Sequence, residues 1–291
     1  RETFQELNAS SEARAQRHIF FAERSARKIE DVPANTPLRA MESAGIIGAG
    51  TMGTGIAMCF ANAGIPVCVI EQEQERLDQG LARIRQTYET MCDRGRISAE
   101  DAEERIRLVT GAVDLAAVAH ADIVVEAVFE AMDVKRDVFA RLDSVCKPGA
   151  ILATNTSTLD VNEIAQSTQR PQDVIGMHFF SPANVMKLLE NVRGEAASDE
   201  VIATVMDLSK RIGKVGVLVG VCNGFVGNRI LHKRQAQAVQ LVNEGATPSQ
   251  VDKVLFDFGL PMGPFAMADL AGLDVGWRIR EDIRENDPAN A

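Results

Sequence analysis

The sequence predicts an α/β fold with a parallel, doubly wound sheet, followed by a smaller all-helical domain. Between Ser43 and about Gly220, short apolar runs alternate with longer helix-compatible stretches. Apolar strands that alternate with helices are typical of a parallel sheet that helices cover on both faces. After Asn223 and Gly224 the strand pattern stops, and only helical patterns follow. The 291 residues are enough for about two domains with real cores.

The chain is expected to divide into three regions: 1–40 as an N-terminal linker helix region, 41–221 as the α/β domain and 222–291 as the helical domain. One amphipathic helix is predicted over residues 1–30, and Ser10 to Glu12 fit a cap for its main part. The segment from Pro33 to Pro37 ends this helix as a linker.

The elements of the two domains follow from the same patterns. The predicted strands are 44–47, 66–70, 106–109, 122–127, 151–153, 174–178 and 215–219. The predicted helices of the α/β domain are 52–63, 73–94, 98–104, 133–146, 160–166 and 199–212. The helical domain is predicted to contain helices at 225–244, 249–258 and 264–271.

A glycine-rich turn follows the first predicted strand. Gly48, Gly50 and Gly53 lie between that strand and a helix-compatible stretch, and the next apolar run ends in Glu71. This order is typical of a Rossmann-type dinucleotide site. There the first glycine permits the tight turn, the second lets the pyrophosphate approach the backbone, and the third lets the helix pack closely. The N–H groups and positive dipole end of the helix then face the phosphates.

Glu71 narrows the expected cofactor to NAD. A carboxylate at this strand end can bind the adenosine ribose 2′-OH and would repel a 2′-phosphate, which favours NAD over NADP. Two other interpretations stay open from the residues alone. The turn also fits a structural βαβ connection that binds no ligand, and Glu71 also fits a solvated acid at the end of a strand.

Composition and charge disfavour several classes of protein. The net charge is −10 without a dense basic stretch, which disfavours a nucleic-acid surface. The five cysteines are scattered without CxxC spacing, which indicates reduced thiols in a reducing compartment. The four histidines form no paired ligand motif, so no metal site is expected. No apolar run reaches the roughly 18 residues of a membrane span. The charged start at Arg1, without Met, does not fit a signal peptide and suggests a fragment or a processed chain.

Candidate catalytic groups lie at and after the strand predicted over 174–178. His178 ends this strand at the sheet edge where open α/β sheets bind ligands, and an imidazole there can exchange a proton near neutral pH. Glu190 follows the next apolar segment, and its carboxylate can hold the imidazole in one tautomer. From the residues alone, His178 also fits a structural histidine and Glu190 also fits a surface acid.

Two further polar groups stay ambiguous. The run from Thr154 to Thr158 follows a predicted strand, and its hydroxyl and amide groups can bind a carbonyl or a hydroxyl. They can equally cap the next helix, and capping is the favoured interpretation from the residues alone. Asn228 lies beside Gly227, where glycines suggest a hinge or a close backbone approach, and its amide can simply satisfy backbone groups.

Together these residues resemble the 3-hydroxyacyl-CoA dehydrogenase family from about Ser43 to Trp277. The matching motifs, in chain order, are Gly48–Gly53, Val124–Glu130, Asn155–Ser157, His178–Pro182, Met186–Glu190, Gly224–Arg229 and Met262–Phe265. The opening segment from Phe4 to Arg24 resembles the helix that joins the hydratase and dehydrogenase parts of multifunctional fatty-acid oxidation proteins.

The resemblance implies NAD-dependent oxidation of an L-3-hydroxyacyl-CoA to the 3-ketoacyl-CoA in fatty-acid β-oxidation. It implies that His178 is the general base and that Glu190 pairs with it. It also implies that Ser157 and Asn228 bind the substrate oxygen and orient the reacting carbon. The cofactor-binding positions that it implies are Gly48, Gly50, Met52, Gly53, Glu71, Val128, Glu130, Lys135, Ser157 and Ser181.

The sequence departs from the family pattern at two places. Many single-function members have Asn at the position of Ser181, and the shorter serine weakens or loses that contact with the nicotinamide end. The helical domain is also short after Trp277, whereas the second domain of family members usually continues, completes the acyl-CoA cleft and often forms the dimer. Chain-length preference and full activity of this segment therefore stay open.

The implied partners are the acyl-CoA substrate and either a second copy or an attached enoyl-CoA hydratase domain. No nucleic acid and no membrane span are expected. The implied location is cytoplasmic, or peroxisomal in a eukaryote. Two alternative functions remain. One is a non-catalytic NAD-binding or structural protein on the same scaffold, and the other is a 3-hydroxyacid dehydrogenase that acts without CoA.

Overall fold

The structure, a computed structural model, describes residues 2–271, which form two compact units that meet in sequence between Phe225 and Val226. The strands of the first unit are β1 (Ala44–Ile47), β2 (Val67–Ile70), β3 (Val109–Ala112), β4 (Ile123–Glu126), β5 (Ile151–Thr154), β6 (Val174–Phe179), β7 (Leu188–Arg193) and β8 (Val215–Gly220). Its helices are α1 (Glu2–Ala9), α2 (Ser11–Ala26), α3 (Thr51–Asn62), α4 (Gln74–Asp93), α5 (Ala99–Arg107), α6 (Met132–Val145), α7 (Val161–Ala165) and α8 (Asp199–Arg211).

The strands of the first unit form a single sheet in the order β3-β2-β1-β4-β5-β6-β7-β8. All neighbouring pairs are parallel except β6 and β7, which are antiparallel. The strand order reverses between β1 and β4, and ligands of doubly wound sheets bind at the carboxyl ends of the strands beside such a reversal. The fold therefore places any ligand crevice next to the glycine turn that follows β1.

Helices cover both faces of the sheet, as the sequence predicts. On one face, Ile46 of β1 packs with Ile56 and Phe60 of α3. On the other face, Ile47 of β1 packs with Phe139 of α6. Because neighbouring strand residues point to opposite faces, one short apolar strand contributes to both cores, and this explains why the strands lack a polar face.

The opening segment contradicts the prediction of a single helix over residues 1–30. Ser10 adopts an extended backbone, so α1 ends before it and α2 begins after it. The Ser10 hydroxyl accepts a hydrogen bond from the backbone N–H of Ala13 at 3.1 Å, which is the N-cap that a serine favours. The cap was predicted correctly, but it starts a second helix.

One strand prediction was also wrong, and one strand was missed. Most of the segment 106–109, predicted as a strand, is the end of α5 or its C-cap. The capping box of Ser98 and Asp101 starts this helix, and Arg105 and Arg107 suit its last turn. The paired strand begins only at Val109, opposite Val67. The strand β7 was not predicted at all, and its antiparallel pairing with β6 interrupts the parallel sheet.

The second unit contains α9 (Gly227–Asn243), α10 (Pro248–Phe258) and α11 (Pro264–Ala271). Thr247 and Gln250 form a capping box at the start of α10, and the Asp252 carboxylate accepts hydrogen bonds from two backbone N–H groups at the start of α11. Residues 272–291, which include Trp277, lie outside the described residues. No helix within residues 2–271 is both long and apolar enough to cross a membrane.

Candidate active site

The glycine turn after β1 has the steric constraints of a tight strand-to-helix connection. Gly48 has φ +106°, and a Cβ on it would lie 2.7 Å from the carbonyl oxygen of Ala127 on the neighbouring strand end. A Cβ on Gly53 would lie only 1.8 Å from the carbonyl oxygen of Gly48. A side chain on Gly48 would therefore push the turn away from the end of β4, and a side chain on Gly53 would push α3 away from the turn.

Gly50 differs from the other two glycines because its missing side chain faces open space. No atom lies within 4 Å of the position that its Cβ would take, and the residue is exposed. Gly50 is the N-cap of α3, and no side chain caps this end of the helix. An exposed cradle beside uncapped N–H groups at a helix N-terminus fits a pyrophosphate.

Glu71 lies beside the same turn, at the carboxyl end of β2. Its carboxylate accepts hydrogen bonds from the backbone N–H of Ala49 at 3.1 Å and of Gln72 at 2.9 Å. Met52, in the first turn of α3, is half-buried. The acid is thus held where an adenosine ribose would meet it, so the residues present fit an NAD molecule at this edge.

His178 and Glu190 meet in the antiparallel pair of β6 and β7. The register places them directly opposite each other, and the His178 Nδ1 lies 2.8 Å from the Glu190 Oε2. Both side chains are buried, with relative exposures of 6% and 1%. An ionised carboxylate can only accept a hydrogen bond, so in this contact Nδ1 carries the proton and Nε2 keeps a free lone pair.

Two aromatic rings enclose the imidazole of His178. The ring centroids of Phe180 and Phe225 lie 4.4 Å and 5.6 Å from it. Phe225 is fully buried and has φ 46°, a left-handed conformation that costs a non-glycine residue of the order of 1–3 kcal/mol. No sequence pattern indicates this contact, since the helix predicted over 225–244 begins at Phe225.

A second polar cluster joins the ends of β4 and β5 to α6. The Lys135 ammonium lies 2.7 Å and 2.9 Å from the two carboxylate oxygens of Glu126 and 3.2 Å from the Glu130 carboxylate. Glu126 also accepts hydrogen bonds from the Thr154 hydroxyl and the Val128 backbone N–H. Lys135 and Glu126 are fully buried, so this ion pair is shielded from solvent.

Glu130 connects this cluster to Ser157. Its Oε1 accepts hydrogen bonds from the Thr156 hydroxyl at 2.7 Å, the Ser157 N–H at 2.7 Å and the Ser157 hydroxyl at 3.1 Å. Burial raises the pKa of the Glu130 carboxyl, but the Lys135 ammonium and these hydrogen bonds outweigh burial, so the pKa lies below its usual value of 4.5. Glu130 therefore stays ionised and fixes Ser157.

The remaining predicted positions are distributed as follows. Ser181 is exposed in the connection that follows β6, and Val128 is half-buried after β4. Lys135 has no exposed surface, so a direct contact with a dinucleotide would require its two acidic partners to move. Asn228 lies in α9, in the second unit, and the first unit holds every other predicted site residue.

Asn155 belongs to the Asn155–Ser157 motif, and the structure shows which group its side chain binds. Its side-chain oxygen accepts a hydrogen bond from the backbone N–H of Phe179 at 2.9 Å, directly after His178. This contact ties the ends of β5 and β6 together, so the segment that carries Ser157 lies beside the segment that carries His178.

A basic pocket of about 460 Å³ lies on the first unit beside the connection after β6. Its lining includes Arg94 and Arg96, which are exposed at the end of α4, together with Asn184 and Val185. Thr87 and Thr90 contribute hydroxyl groups. Two guanidinium groups and two hydroxyls suit a phosphate-bearing ligand. Sequence reasoning missed this pocket, because two arginines in an acidic chain form no dense basic run.

Two family models together match the chain from residue 43 to its end. The model described as 3-hydroxyacyl-CoA dehydrogenase, NAD binding domain, matches residues 43–222. The model described as 3-hydroxyacyl-CoA dehydrogenase, C-terminal domain, matches residues 224–291. The chain belongs to the 3-hydroxyacyl-CoA dehydrogenase family. It is therefore an oxidoreductase, and NAD is its cofactor.

Known relatives agree with this assignment. A peroxisomal bifunctional enzyme of Cavia porcellus is 48% identical over 287 residues, which are 97% of this chain and 39% of the relative. A peroxisomal fatty acid beta-oxidation multifunctional protein of Arabidopsis thaliana is 37% identical over 92% of this chain and 37% of its own length. The chain thus spans about two fifths of these relatives.

A solved structure shares the fold. The crystal structure of (S)-3-hydroxybutyryl-CoA dehydrogenase from Ralstonia eutropha has a TM-score of 0.80 and 33% sequence identity. The match covers 83% of this chain and 86% of that chain. The doubly wound sheet with a following helical unit is therefore the fold of a known dehydrogenase.

We expect Gly50→Ala and Gly48→Ala to fail in different ways. A methyl group on Gly50 meets only open space, so this variant should keep wild-type stability while its affinity for NADH falls about tenfold or more, since the methyl occupies the approach of the pyrophosphate. Gly48→Ala should instead lose about 1–3 kcal/mol of unfolding free energy. Fluorescence titration with NADH and urea unfolding measure the two effects. Wild-type NADH affinity in Gly50→Ala would contradict the assignment of this cradle.

We expect the stability that Glu130 provides to depend on pH. Because its pKa in the folded state lies below 4.5, the carboxylate stabilises the fold above that pH, and this contribution is lost as the pH falls through the folded-state pKa. The unfolding free energy of the wild type should therefore fall more steeply than that of Glu130→Gln between about pH 5 and about pH 3. Urea unfolding at stepped pH measures this, and the exposed Glu89→Gln controls for the loss of a carboxyl. Parallel curves for wild type and Glu130→Gln would count against it.

Proposed function

We propose that this chain oxidises L-3-hydroxyacyl-CoA to 3-ketoacyl-CoA with NAD, as the dehydrogenase part of a multifunctional fatty-acid β-oxidation protein. The contact between His178 and Glu190 is the observation that carries the proposal. It supplies a buried imidazole with an oriented free nitrogen at the carboxyl edge of the sheet, in the same unit as the glycine turn. Family membership and the β-oxidation relatives support the substrate class.

In this proposal His178 Nε2 takes the proton of the 3-hydroxyl group. The Glu190 carboxylate keeps the imidazole in the required tautomer and stabilises the imidazolium that forms. Bound NAD accepts the hydride that leaves C3 as the carbonyl forms, so the two electrons go to the cofactor and the proton goes to the protein. The rings of Phe180 and Phe225 exclude water around the base.

Ser157 and Asn228 are proposed to bind the substrate oxygen. Glu130 holds Ser157 through both its N–H and its hydroxyl, which fixes the position of the serine before substrate arrives. The cofactor contacts are proposed at Gly48, Gly50, Met52, Gly53, Glu71, Val128, Glu130, Lys135, Ser157 and Ser181. Of these, Lys135 acts through Glu130 in this structure, because its ammonium is enclosed by two carboxylates.

The basic pocket beside the connection after β6 is proposed to hold the phosphates of coenzyme A. Arg94 and Arg96 supply guanidinium groups that match phosphate oxygens. Asn184 and Val185 line the same pocket and lie only a few residues after Ser181. This placement favours a CoA thioester over a free 3-hydroxyacid, which would leave both arginines without a role.

Residues 1–40 are proposed to link this chain to a further domain such as an enoyl-CoA hydratase. All residues of α2 are at least partly exposed, and Phe4, Leu7, Ile19, Phe20 and Phe21 are exposed apolar residues. Such residues suit a contact with another domain or with a second copy. The proposed location is the peroxisome in a eukaryote, which follows the names of the relatives, and the cytoplasm otherwise.

We expect His178→Gln to lower kcat about 10²- to 10⁴-fold, because the general base is lost, while the affinity for NADH stays within about twofold. Oxidation of NADH with acetoacetyl-CoA, followed by absorbance, measures the reverse reaction. His120→Gln is the matched control, because this histidine is exposed and lies far along the chain. A non-catalytic scaffold would show no turnover in the wild type, and full turnover in His178→Gln would remove the assignment of the base.

We expect Arg94→Ala to raise the KM for acetoacetyl-CoA about tenfold, as the loss of one charge-assisted contact would. The KM for acetoacetyl-pantetheine, which lacks the nucleotide phosphates, should not change. Arg85→Ala removes an exposed arginine from another face of α4 and is the control. An equal effect of Arg94→Ala on both thioesters, or none, would place the CoA phosphates elsewhere.

A further inference from the structure

Lys214 is a buried lysine outside the catalytic cluster, directly before β8. Its exposure is 5%, and its ammonium donates hydrogen bonds to the backbone carbonyl oxygens of Ala183 and Met186, the latter at 2.8 Å. Within residues 2–271, the partners of this charge are two neutral carbonyls and the Cys59 thiol, and no carboxylate pairs with it. Burial of an ammonium group without a counter-ion is unfavourable, and a methionine of similar length would avoid that cost.

The two carbonyls belong to the connection between β6 and β7, within the Pro182–Met186 turn. In this turn, the Pro182 carbonyl oxygen accepts hydrogen bonds from the N–H groups of Val185 at 2.9 Å and Met186 at 3.0 Å. The next residue, Lys187, accepts a hydrogen bond from Val215 at 2.8 Å. Lys214 thus binds two carbonyl oxygens of this connection, and the first residue of β8 binds a third, that of Lys187.

The Pro182–Met186 turn also packs against α3, the helix that starts at the glycine turn. A Cβ on Gly55 would lie 3.0 Å from the Cβ of Ala183, so the helix and the turn already touch. The Cys59 thiol, one helical turn further along, lies 3.3 Å from the same Ala183 carbonyl oxygen that Lys214 binds. The turn is therefore clamped at the Ala183 carbonyl oxygen, where the thiol of the cofactor helix and the buried ammonium converge.

We propose that Lys214 is a positioning residue that holds the Pro182–Met186 turn against α3. It thereby fixes the catalytic hairpin and the wall of the basic pocket relative to the cofactor. The hairpin carries His178 and Glu190 on its two strands, and the turn itself carries Asn184 and Val185 of the pocket. This inference rests on the proposed function, because it assigns both groups to one reaction.

The geometry explains why a charge is used for this task. An ammonium has three donors and can bind two carbonyl oxygens that point to one place. A methionine would leave the Met186 carbonyl oxygen without this donor and the Ala183 carbonyl oxygen with the Cys59 thiol alone. A turn that loses both ammonium contacts would move toward water and away from α3. Small displacements of reacting groups lower the rate strongly even when all groups remain present.

Lys214→Met tests the proposal directly. We expect kcat/KM for acetoacetyl-CoA to fall about tenfold to a hundredfold, with both a higher KM and a lower kcat. The affinity for NADH should stay within about twofold, because the glycine turn and Glu71 are not touched. Hydrogen exchange measured by mass spectrometry should speed up in peptides of residues 182–187, while peptides of β1 and α3 should keep their wild-type exchange.

Lys210→Met is the matched control, since it removes an exposed lysine from the last turn of α8, four positions before Lys214. We expect wild-type kinetics and exchange in this variant. If Lys214 served only stability, the folded Lys214→Met variant would have a lower melting temperature but wild-type kcat and KM, and wild-type hydrogen exchange in residues 182–187. That result would overturn the proposal.

Gly55→Ala disturbs the same clamp from the α3 side and keeps the proposal testable if Lys214→Met does not fold. Its added methyl meets Ala183 at 3.0 Å, so the turn must give way by a few tenths of an ångström. We expect the same pattern with a smaller loss, about threefold to tenfold in kcat/KM. Unchanged kinetics and turn exchange would again contradict the clamp. Failure of the proposed function would give a different result. The wild type would then not turn over acetoacetyl-CoA, whereas faster hydrogen exchange of the turn in the variants would still show that the clamp is lost.

Discussion

The antiparallel register between β6 and β7 is the constraint on which the rest of the site depends. It places His178 directly opposite Glu190, and residues that face each other across an antiparallel pair share one side of the sheet. A slip by one residue would turn Glu190 to the other face and leave the imidazole without its partner. The surrounding contacts serve this register. Asn155 binds the backbone beside His178, and Lys214 fixes the turn that joins the two strands.

Buried charge is the second constraint, and it is met differently in two places. Lys135 is balanced by the carboxylates of Glu126 and Glu130, so removal of one partner would leave an uncompensated charge in a dry environment. Lys214 has carbonyl oxygens instead. Both lysines lie beneath segments that carry site residues, which are Ser157 in one case and the turn after His178 in the other. A pre-organised site requires such contacts, because they hold the segments that carry its functional side chains in fixed positions.

Apart from β3, the sequence predicted the strands from β1 to β6 and the glycine turn, because these depend on local rules. Gly48 and Gly53 are required sterically, Gly50 faces the open space beside the helix N-terminus, and the spacing of the three glycines in the sequence already indicates this arrangement. The strand β7 could not be found in the same way. Its segment Leu188–Arg193 contains Glu190 and Asn191 side by side, and both are buried, at 1% and 0% exposure. Two adjacent polar residues read as a solvent-facing segment, and only tertiary partners on both sides of the sheet make them a strand. The family resemblance supplied the pairing of His178 with Glu190 that periodicity could not.

The energetic cost of these polar contacts distinguishes an enzyme from a scaffold. A protein that only binds NAD, or only fills space, gains stability when buried polar pairs are replaced by apolar side chains of similar volume. This chain instead buries a histidine with a glutamate and holds Phe225 in a strained conformation beside the imidazole. Proteins keep such departures from stable packing where function requires them. The first unit concentrates these departures at one edge of its sheet, next to the dinucleotide turn. That placement, more than the turn itself, supports the interpretation of the chain as a working dehydrogenase.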